Sequence, residues 1–142
     1  MTVVRKITLL GSTGSIGENT LDVVARHADR FHVFALTANR SIEKLFLQCQ
    51  RFRPQYAVML DHESALELEK KLKGAGVDTI VLSGVESLER VASHAEVDIV
   101  MAAIVGAAGI RPTCAAANSG KTVMLANKET LVMAGRIFID IV

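Results

Sequence analysis

The sequence predicts an α/β domain, a doubly wound and mostly parallel sheet with helices on both of its faces. Two observations carry that prediction. Short β-branched or aliphatic runs alternate with longer segments of helical period along the whole 142 residues, the alternation of a parallel sheet covered by helices. Most of the short runs are apolar at consecutive rather than alternate positions, as strands buried on both faces must be.

The predicted strands, in chain order, are Lys6–Leu10, Phe31–Thr37, Tyr56–Leu60, Thr79–Leu82, Asp98–Ala102 and Thr122–Leu125. Between them the helical period predicts Ser15–Ala28, Ile42–Arg51, Ser64–Lys73, Val85–Ser93 and Ile110–Asn118, with a last helix from Glu129 to the end. Ser41 stands where an N-cap would serve the second helix. Gly74 and Gly120 stand where glycine stops a helix after Lys73 and Ser119. No repeat of longer period lies beneath the β-α alternation.

Length and composition fit one domain over residues 1–142. A chain of about 150 residues buries roughly 68–70% of its unfolded surface, enough for a substantial core. Half of the residues are hydrophobic, 22% are charged and only two are proline, which excludes a disordered or low-complexity chain. The formal net charge of +1 provides no field to collect a polyanion, so nucleic acid is not an expected partner and any anion must be bound locally. Cys49 and Cys114 have no C-x-x-C neighbour and read as reduced structural thiols. The apolar run at the N-terminus is too short for a secretory signal, and no run reaches the length of a membrane span. A cytoplasmic protein with no membrane partner is expected.

The first strand leads directly into Gly11-Ser12-Thr13-Gly14-Ser15-Ile16-Gly17, and a helix carrying Leu21, Val23, Val24 and Ala25 follows. That context distinguishes a phosphate-binding turn from an isolated glycine string. Glycine suits the turn because the backbone needs unusual φ/ψ there and because a side chain would keep N–H groups away from phosphate. The helix N-terminus adds free N–H groups and about half a positive charge. Ser12, Thr13 and Ser15 offer hydroxyl donors. The spacing is G-x-x-G-x-x-G, a variant of the Rossmann-like dinucleotide fingerprint.

The end of the second strand selects the dinucleotide. An NAD site places a carboxylate there for the ribose 2′-hydroxyl. Here the segment reads Ala38-Asn39-Arg40-Ser41, with an arginine and no carboxylate. A carboxylate would repel a 2′-phosphate, whereas Arg40 can donate charge-assisted hydrogen bonds to it, each worth roughly 1.5–3 kcal/mol. NADPH is the expected cofactor, with Asn39, Arg40 and Ser41 at its 2′-phosphate.

In an open parallel sheet the ligand crosses the carboxyl ends of the strands. After the fifth strand, Met101 to Gly109 is rich in small residues against which a flat ring can lie. After the sixth comes Ala126-Asn127-Lys128-Glu129, an amide, an ammonium and a carboxylate at an otherwise apolar strand end. Spacing alone leaves open whether these cap a helix or bind a ligand.

Taken together, GSTGSIG at Gly11, VMAAIVGAAG at Val100 to Gly109 and GKTVMLANKE at Gly120 to Glu129 resemble the 1-deoxy-D-xylulose 5-phosphate reductoisomerase family. TLDVV at Thr20 and YAVM at Tyr56 extend the resemblance over the whole chain. It implies an enzyme of non-mevalonate isoprenoid biosynthesis that isomerises 1-deoxy-D-xylulose 5-phosphate and reduces the aldehyde intermediate with NADPH to 2-C-methyl-D-erythritol 4-phosphate. By the same resemblance Thr13, Gly14, Ser15 and Ile16 bind the cofactor diphosphate, and Ala103, Ile104, Asn127 and Glu129 lie beside the cofactor; Gly11 and Ser12 join the cofactor site from the reading of the turn itself. Lys128 contacts the phosphosugar substrate. The family's usual Gly-Lys-Asn at the 2′-phosphate reads Asn39, Arg40, Ser41 here, which keeps the charge and changes the contacts.

The resemblance further implies a homodimer and a Mg²⁺ or Mn²⁺ ion held by an Asp and two Glu C-terminal to this region, with no metal ligand or catalytic residue among these 142. His27, His32, His62 and His94 stand singly and are assigned no such role. The last helix is still apolar at Ile137, Phe138, Ile139, Ile141 and Val142 where the sequence stops. The expectation is an N-terminal fragment, inactive alone, without the metal and substrate domain and the C-terminal helical domain. Two other readings use the same turn: an NADP-dependent dehydrogenase domain of the semialdehyde or homoserine type, and a non-catalytic nucleotide-sensing module. The first would require a catalytic cysteine or Tyr-x-x-x-Lys, and Tyr56 is followed by Leu60 instead.

Overall fold

The computed structural model describes residues 3–104 and 107–125. Six strands form one sheet: β1 (Arg5–Leu10), β2 (Phe31–Ala38), β3 (Tyr56–Met59), β4 (Ile80–Ser83), β5 (Ile99–Ala102) and β6 (Thr122–Leu125). Their order is β4-β3-β2-β1-β5-β6, and every pairing is parallel. The helices between them are α1 (Ser15–Arg26), α2 (Ile42–Phe52), α3 (His62–Gly74), α4 (Val85–Ser93) and α5 (Ile110–Asn118). A short 3₁₀ turn, Ala107–Gly109, precedes α5. The last helix expected from Glu129 onward lies outside the described residues.

Strand order dictates where a ligand can sit. The chain winds outward from β1 to β4, then crosses back through α4 to place β5 on the other side of β1. Winding direction therefore reverses between β1 and β5, and the loops leaving their carboxyl ends diverge to opposite faces, opening the crevice of doubly wound folds.

The side-chain period of the strands divides the core into two layers. Ile7, Leu9, Val33, Leu36, Ala57, Met59 and Ile99 face the helices α1, α2 and α3, which contribute Leu21, Val24, Leu45, Cys49, Leu68 and Leu72. Leu10, Phe34, Val58, Val100 and Ala102 face α4 and α5 through Leu88, Val91 and Ala116. Leu45, Leu68 and Leu72 are at most 1% exposed, each worth about 1.5–3 kcal/mol of apolar burial. One irregularity interrupts the alternation. The register between β1 and β2 shifts after Ile7 so that Phe34 is the extra residue of a bulge, and Phe34 and Ala35 both turn toward α4 and α5.

Four helix limits differ from the sequence expectation: α1 ends at Arg26 rather than Ala28, α2 at Phe52 rather than Arg51, and α3 differs at both ends. The third helix starts at His62 rather than Ser64, because Asp61 caps it: the carboxylate accepts from the Ser64 N–H at 3.1 Å and from the Ser64 hydroxyl at 2.7 Å. Gly74 does not stop that helix but is its last residue, and the left-handed glycine is Gly76 at φ +73°. Gly120 does act as expected, at φ +77° just after the cap Ser119, with its N–H donating to the Ala117 carbonyl. Ser41 occupies the N-cap position of α2, but its side chain makes no capping hydrogen bond.

Candidate functional site

The glycine turn lies at the switch point, and its three glycines answer to three different physical demands. Gly11 has φ +80°, and a Cβ there would lie 2.8 Å from the Ala103 carbonyl oxygen and 3.1 Å from the Ile104 nitrogen. It needs glycine both for its backbone conformation and because the loop after β5 is stacked directly on it. Gly17, in the first turn of α1, has ordinary helical geometry, but its Cβ would meet the Gly11 and Ser12 carbonyl oxygens at 2.4 and 2.6 Å. The helix can start this close to β1 only without a side chain at that place.

Gly14 is different. It is the N-cap of α1 in extended conformation at φ −80° and ψ 174°, which any residue adopts, and a Cβ there would meet nothing within 4 Å. Nothing among the described residues requires glycine at this place. Among the described residues no side chain caps the helix, so its first-turn N–H groups lack the partner that a capping side chain supplies.

Bracing comes from β2 and α2. The Gly11 N–H donates to the Thr37 hydroxyl at 2.9 Å, and the Ser12 N–H donates to the Thr37 carbonyl at 2.8 Å. The Ser12 hydroxyl, expected to face an anion, is fully buried and donates instead to Gln48 Oε1 at 2.7 Å, while Gln48 Nε2 returns a bond to the Ser12 carbonyl at 2.9 Å. That is a correction to the role of its side chain. The donors left facing outward are Thr13, which is half-buried, and Ser15, which is exposed beside exposed Ile16. Thr37 and Gln48 were not singled out by sequence reasoning; the available signal was a threonine amid the apolar run FHVFALTA of β2.

Across the crevice, the Ala103 N–H donates to the Leu10 carbonyl at 2.9 Å, so the β1 and β5 loops leave the sheet in contact. Ile104 packs under Gly109, whose Cβ would lie 3.1 Å from the Ile104 Cβ. Ala103 and Ile104 therefore border the glycine turn directly. Asn127, Lys128 and Glu129 lie outside the described residues.

The Asn39–Ser41 loop leaves the neighbouring strand end, and all three residues are exposed. The Ile42 N–H donates to the Arg40 carbonyl at 2.9 Å. Arg40 forms no ion pair among the described residues, which leaves its guanidinium available to an anion. Below it, the Ser64 hydroxyl and N–H hold the Asp61 carboxyl under the usual carboxylate range, with the charge of Arg40 and His62 adding to the effect. Among the described residues no group of three His, Cys, Asp or Glu comes together to hold a metal, and no helix is long and apolar enough to cross a membrane. Cys49 and Cys114 are free thiols, and burial pushes the Cys49 pKa up to about 12.

A model of the 1-deoxy-D-xylulose 5-phosphate reductoisomerase family matches residues 7–135. The chain belongs to this family. Reductoisomerases from Nitrosomonas eutropha and Nitrosospira multiformis are 69% and 66% identical over 99% and 100% of the chain. The chain spans about a third of their length, 34% and 36% respectively. A crystal structure of a DOX-P reductoisomerase with NADPH, fosmidomycin and magnesium superposes with a TM-score of 0.93 at 43% identity over 97% of the chain and 34% of that protein. The reductoisomerase from Zymomonas mobilis in complex with NADPH gives 0.91 at 43% identity over 98% of the chain and 36% of its own. The doubly wound fold read from the sequence is thus that of the reductoisomerase family. The semialdehyde or homoserine dehydrogenase reading gains no support from these relatives.

Proposed function

We propose that this chain is the NADPH-binding domain of a cytoplasmic 1-deoxy-D-xylulose 5-phosphate reductoisomerase. The whole protein would isomerise that phosphosugar and reduce the intermediate to 2-C-methyl-D-erythritol 4-phosphate. Relatives of high identity carry the reductoisomerase name, and similar structures hold NADPH, or NADPH with fosmidomycin and magnesium. Within the chain one observation supports the cofactor site: Gly14, at the start of α1, is a glycine that no contact among the described residues requires, and its lack of a side chain leaves room for a ligand there.

In this reading the diphosphate lies over Gly14, receiving N–H groups from Ser15 and Ile16 and the hydroxyls of Thr13 and Ser15. Gly11 positions the turn, and Ser12 fixes it from within. Arg40, flanked by Asn39 and Ser41, receives the 2′-phosphate. Ala103 and Ile104 form the surface against which the nicotinamide half rests, so the reactive ring is held over the β5 and β6 ends. Asn127 and Glu129 would fix the nicotinamide ribose, and Lys128 would hold the substrate. A Mg²⁺ or Mn²⁺ ion would polarise substrate oxygens during the rearrangement. By the family resemblance its ligands would lie C-terminal to this region, in a homodimeric whole protein.

The test is Gly14→Val followed by NADPH titration, read by nicotinamide fluorescence. Valine is compatible with the extended backbone and its Cβ meets no atom of the described residues within 4 Å, so the melting temperature should move by no more than a few degrees. Affinity should fall about a hundredfold or more, since two charge-assisted hydrogen bonds are worth roughly 3–6 kcal/mol together. A variant that binds NADPH as tightly as the parent chain would remove the diphosphate from this turn.

A further inference from the structure

The loop that carries Arg40 does not stand alone at the end of the sheet. The strands β2 and β3 run side by side to Ala38 and Met59, and the backbone pairing continues beyond them. The Leu60 N–H donates to the Ala38 carbonyl at 2.9 Å and the Asp61 N–H to the Asn39 carbonyl at 3.2 Å. Asp61 is thereby tied to the residue immediately before Arg40. Its carboxylate is only partly used: Oδ2 accepts both bonds from Ser64. No ion pair closes between it and Arg40.

An anion approaching Arg40 therefore enters a loop whose neighbour carries a carboxylate close enough to feel the Arg40 charge. We propose that Asp61 is a second determinant of dinucleotide choice, a fixed negative charge at the edge of the Arg40 loop that restrains the preference for a 2′-phosphate. The inference rests on the NADPH reading given above. Two effects act in the same direction. The carboxylate attracts Arg40 away from the incoming phosphate, and it repels the phosphate itself. A neutral ribose 2′-hydroxyl is subject to neither, so the charge bears on NADPH and not on NADH.

A helix cap alone would account for Asp61 without any such role, so the test must separate charge from capping. Asp61→Asn and Asp61→Ser keep a capping side chain and remove only the charge. Both should melt within a few degrees of the parent chain. Titrated with NADPH and NADH at low ionic strength, both should show a dissociation-constant ratio of NADH over NADPH raised about three- to tenfold. The rise should come from tighter NADPH binding, and it should shrink at 0.5 M salt. A ratio unmoved in both variants, or NADH affinity rising in step with NADPH, overturns the proposal. The parent chain's own ratio tests the Arg40 reading separately: equal affinities there would count against NADPH preference, while Asp61 would still be judged on whether the ratio moves.

Discussion

The two loops assigned to the cofactor's phosphates are built in opposite ways. The turn from Gly11 to Gly17 is crowded backbone, packed against the loop after β5 and pinned by Thr37 and Gln48. The loop from Asn39 to Ser41 is exposed, its arginine unpaired among the described residues. The first is a shape made by the fold, and its geometry is stabilised by the same contacts that stabilise the domain. The second is a charge on a surface, which the fold positions but does not need. Substitutions should therefore trade off differently: stability and binding fall together at the packed positions of the turn, Gly11 and Gly17, and separate at Gly14 and in the loop.

The largest effect is expected at Gly17. A Cβ there meets two backbone oxygens at 2.4 and 2.6 Å, and backbone cannot rotate aside as a side chain does. Gly17→Ala should cost about 3 kcal/mol or more, the upper end of overpacking penalties, read as a lower midpoint in urea. An unchanged midpoint would mean that α1 does not start as close to β1 as its packing indicates. The contrast with Gly14→Val, in the same turn and larger in volume, is the sharpest internal control the sequence offers.

Arg40→Ala is the corresponding change in the loop. Its melting temperature should stay within a degree or two of the parent's, because an exposed side chain without a partner contributes little. NADPH affinity should fall about ten- to a hundredfold and NADH affinity should not, the loss being one charge-assisted hydrogen bond of roughly 1.5–3 kcal/mol. If both affinities fall alike, Arg40 acts on the loop's conformation and not on the 2′-phosphate.

The same contrast explains what was legible in the sequence. The sheet and most helices could be read because consecutive apolar runs and 3.6-residue periods are local signals, and Val85–Ser93, Ile110–Asn118 and Thr122–Leu125 match residue for residue. The turn could be read because three glycines after a strand are local too. The inward rotation of Ser12 could not: its partner Gln48 is 36 residues away, and nothing in a glutamine on an amphipathic helix signals which way it points. Asp61 shows the intermediate case. Its spacing to Ser64 is a capping pattern that could have moved the helix start back to His62, but its place beside Asn39 depends on strand order. The open space at Gly14 among the described residues belongs to neither class, since a glycine that leaves room for the proposed ligand and one required by a turn are the same letter.

Thr37 tests whether the turn's shape is braced from below as strongly as its packing implies. Its hydroxyl accepts the Gly11 N–H at 2.9 Å and is 1% exposed. Valine has nearly the same shape, so Thr37→Val removes the acceptor and little else. The partly buried Gly11 N–H would then lose its partner, a loss of about 1–3 kcal/mol at most, or up to roughly 3–10 °C in melting temperature for a domain of this size. NADPH affinity should weaken by a smaller factor than in Gly14→Val, because the Ser12 N–H bond to the Thr37 carbonyl survives. Thr37→Ser, which restores the hydroxyl, should recover most of the affinity but not all of the stability, since it leaves a methyl-sized gap. Weakened binding with an unchanged melting temperature would place Thr37 in the cofactor's own contact surface. A lower melting temperature with unchanged binding would show that the turn keeps its shape from the Gly11 and Gly17 packing alone.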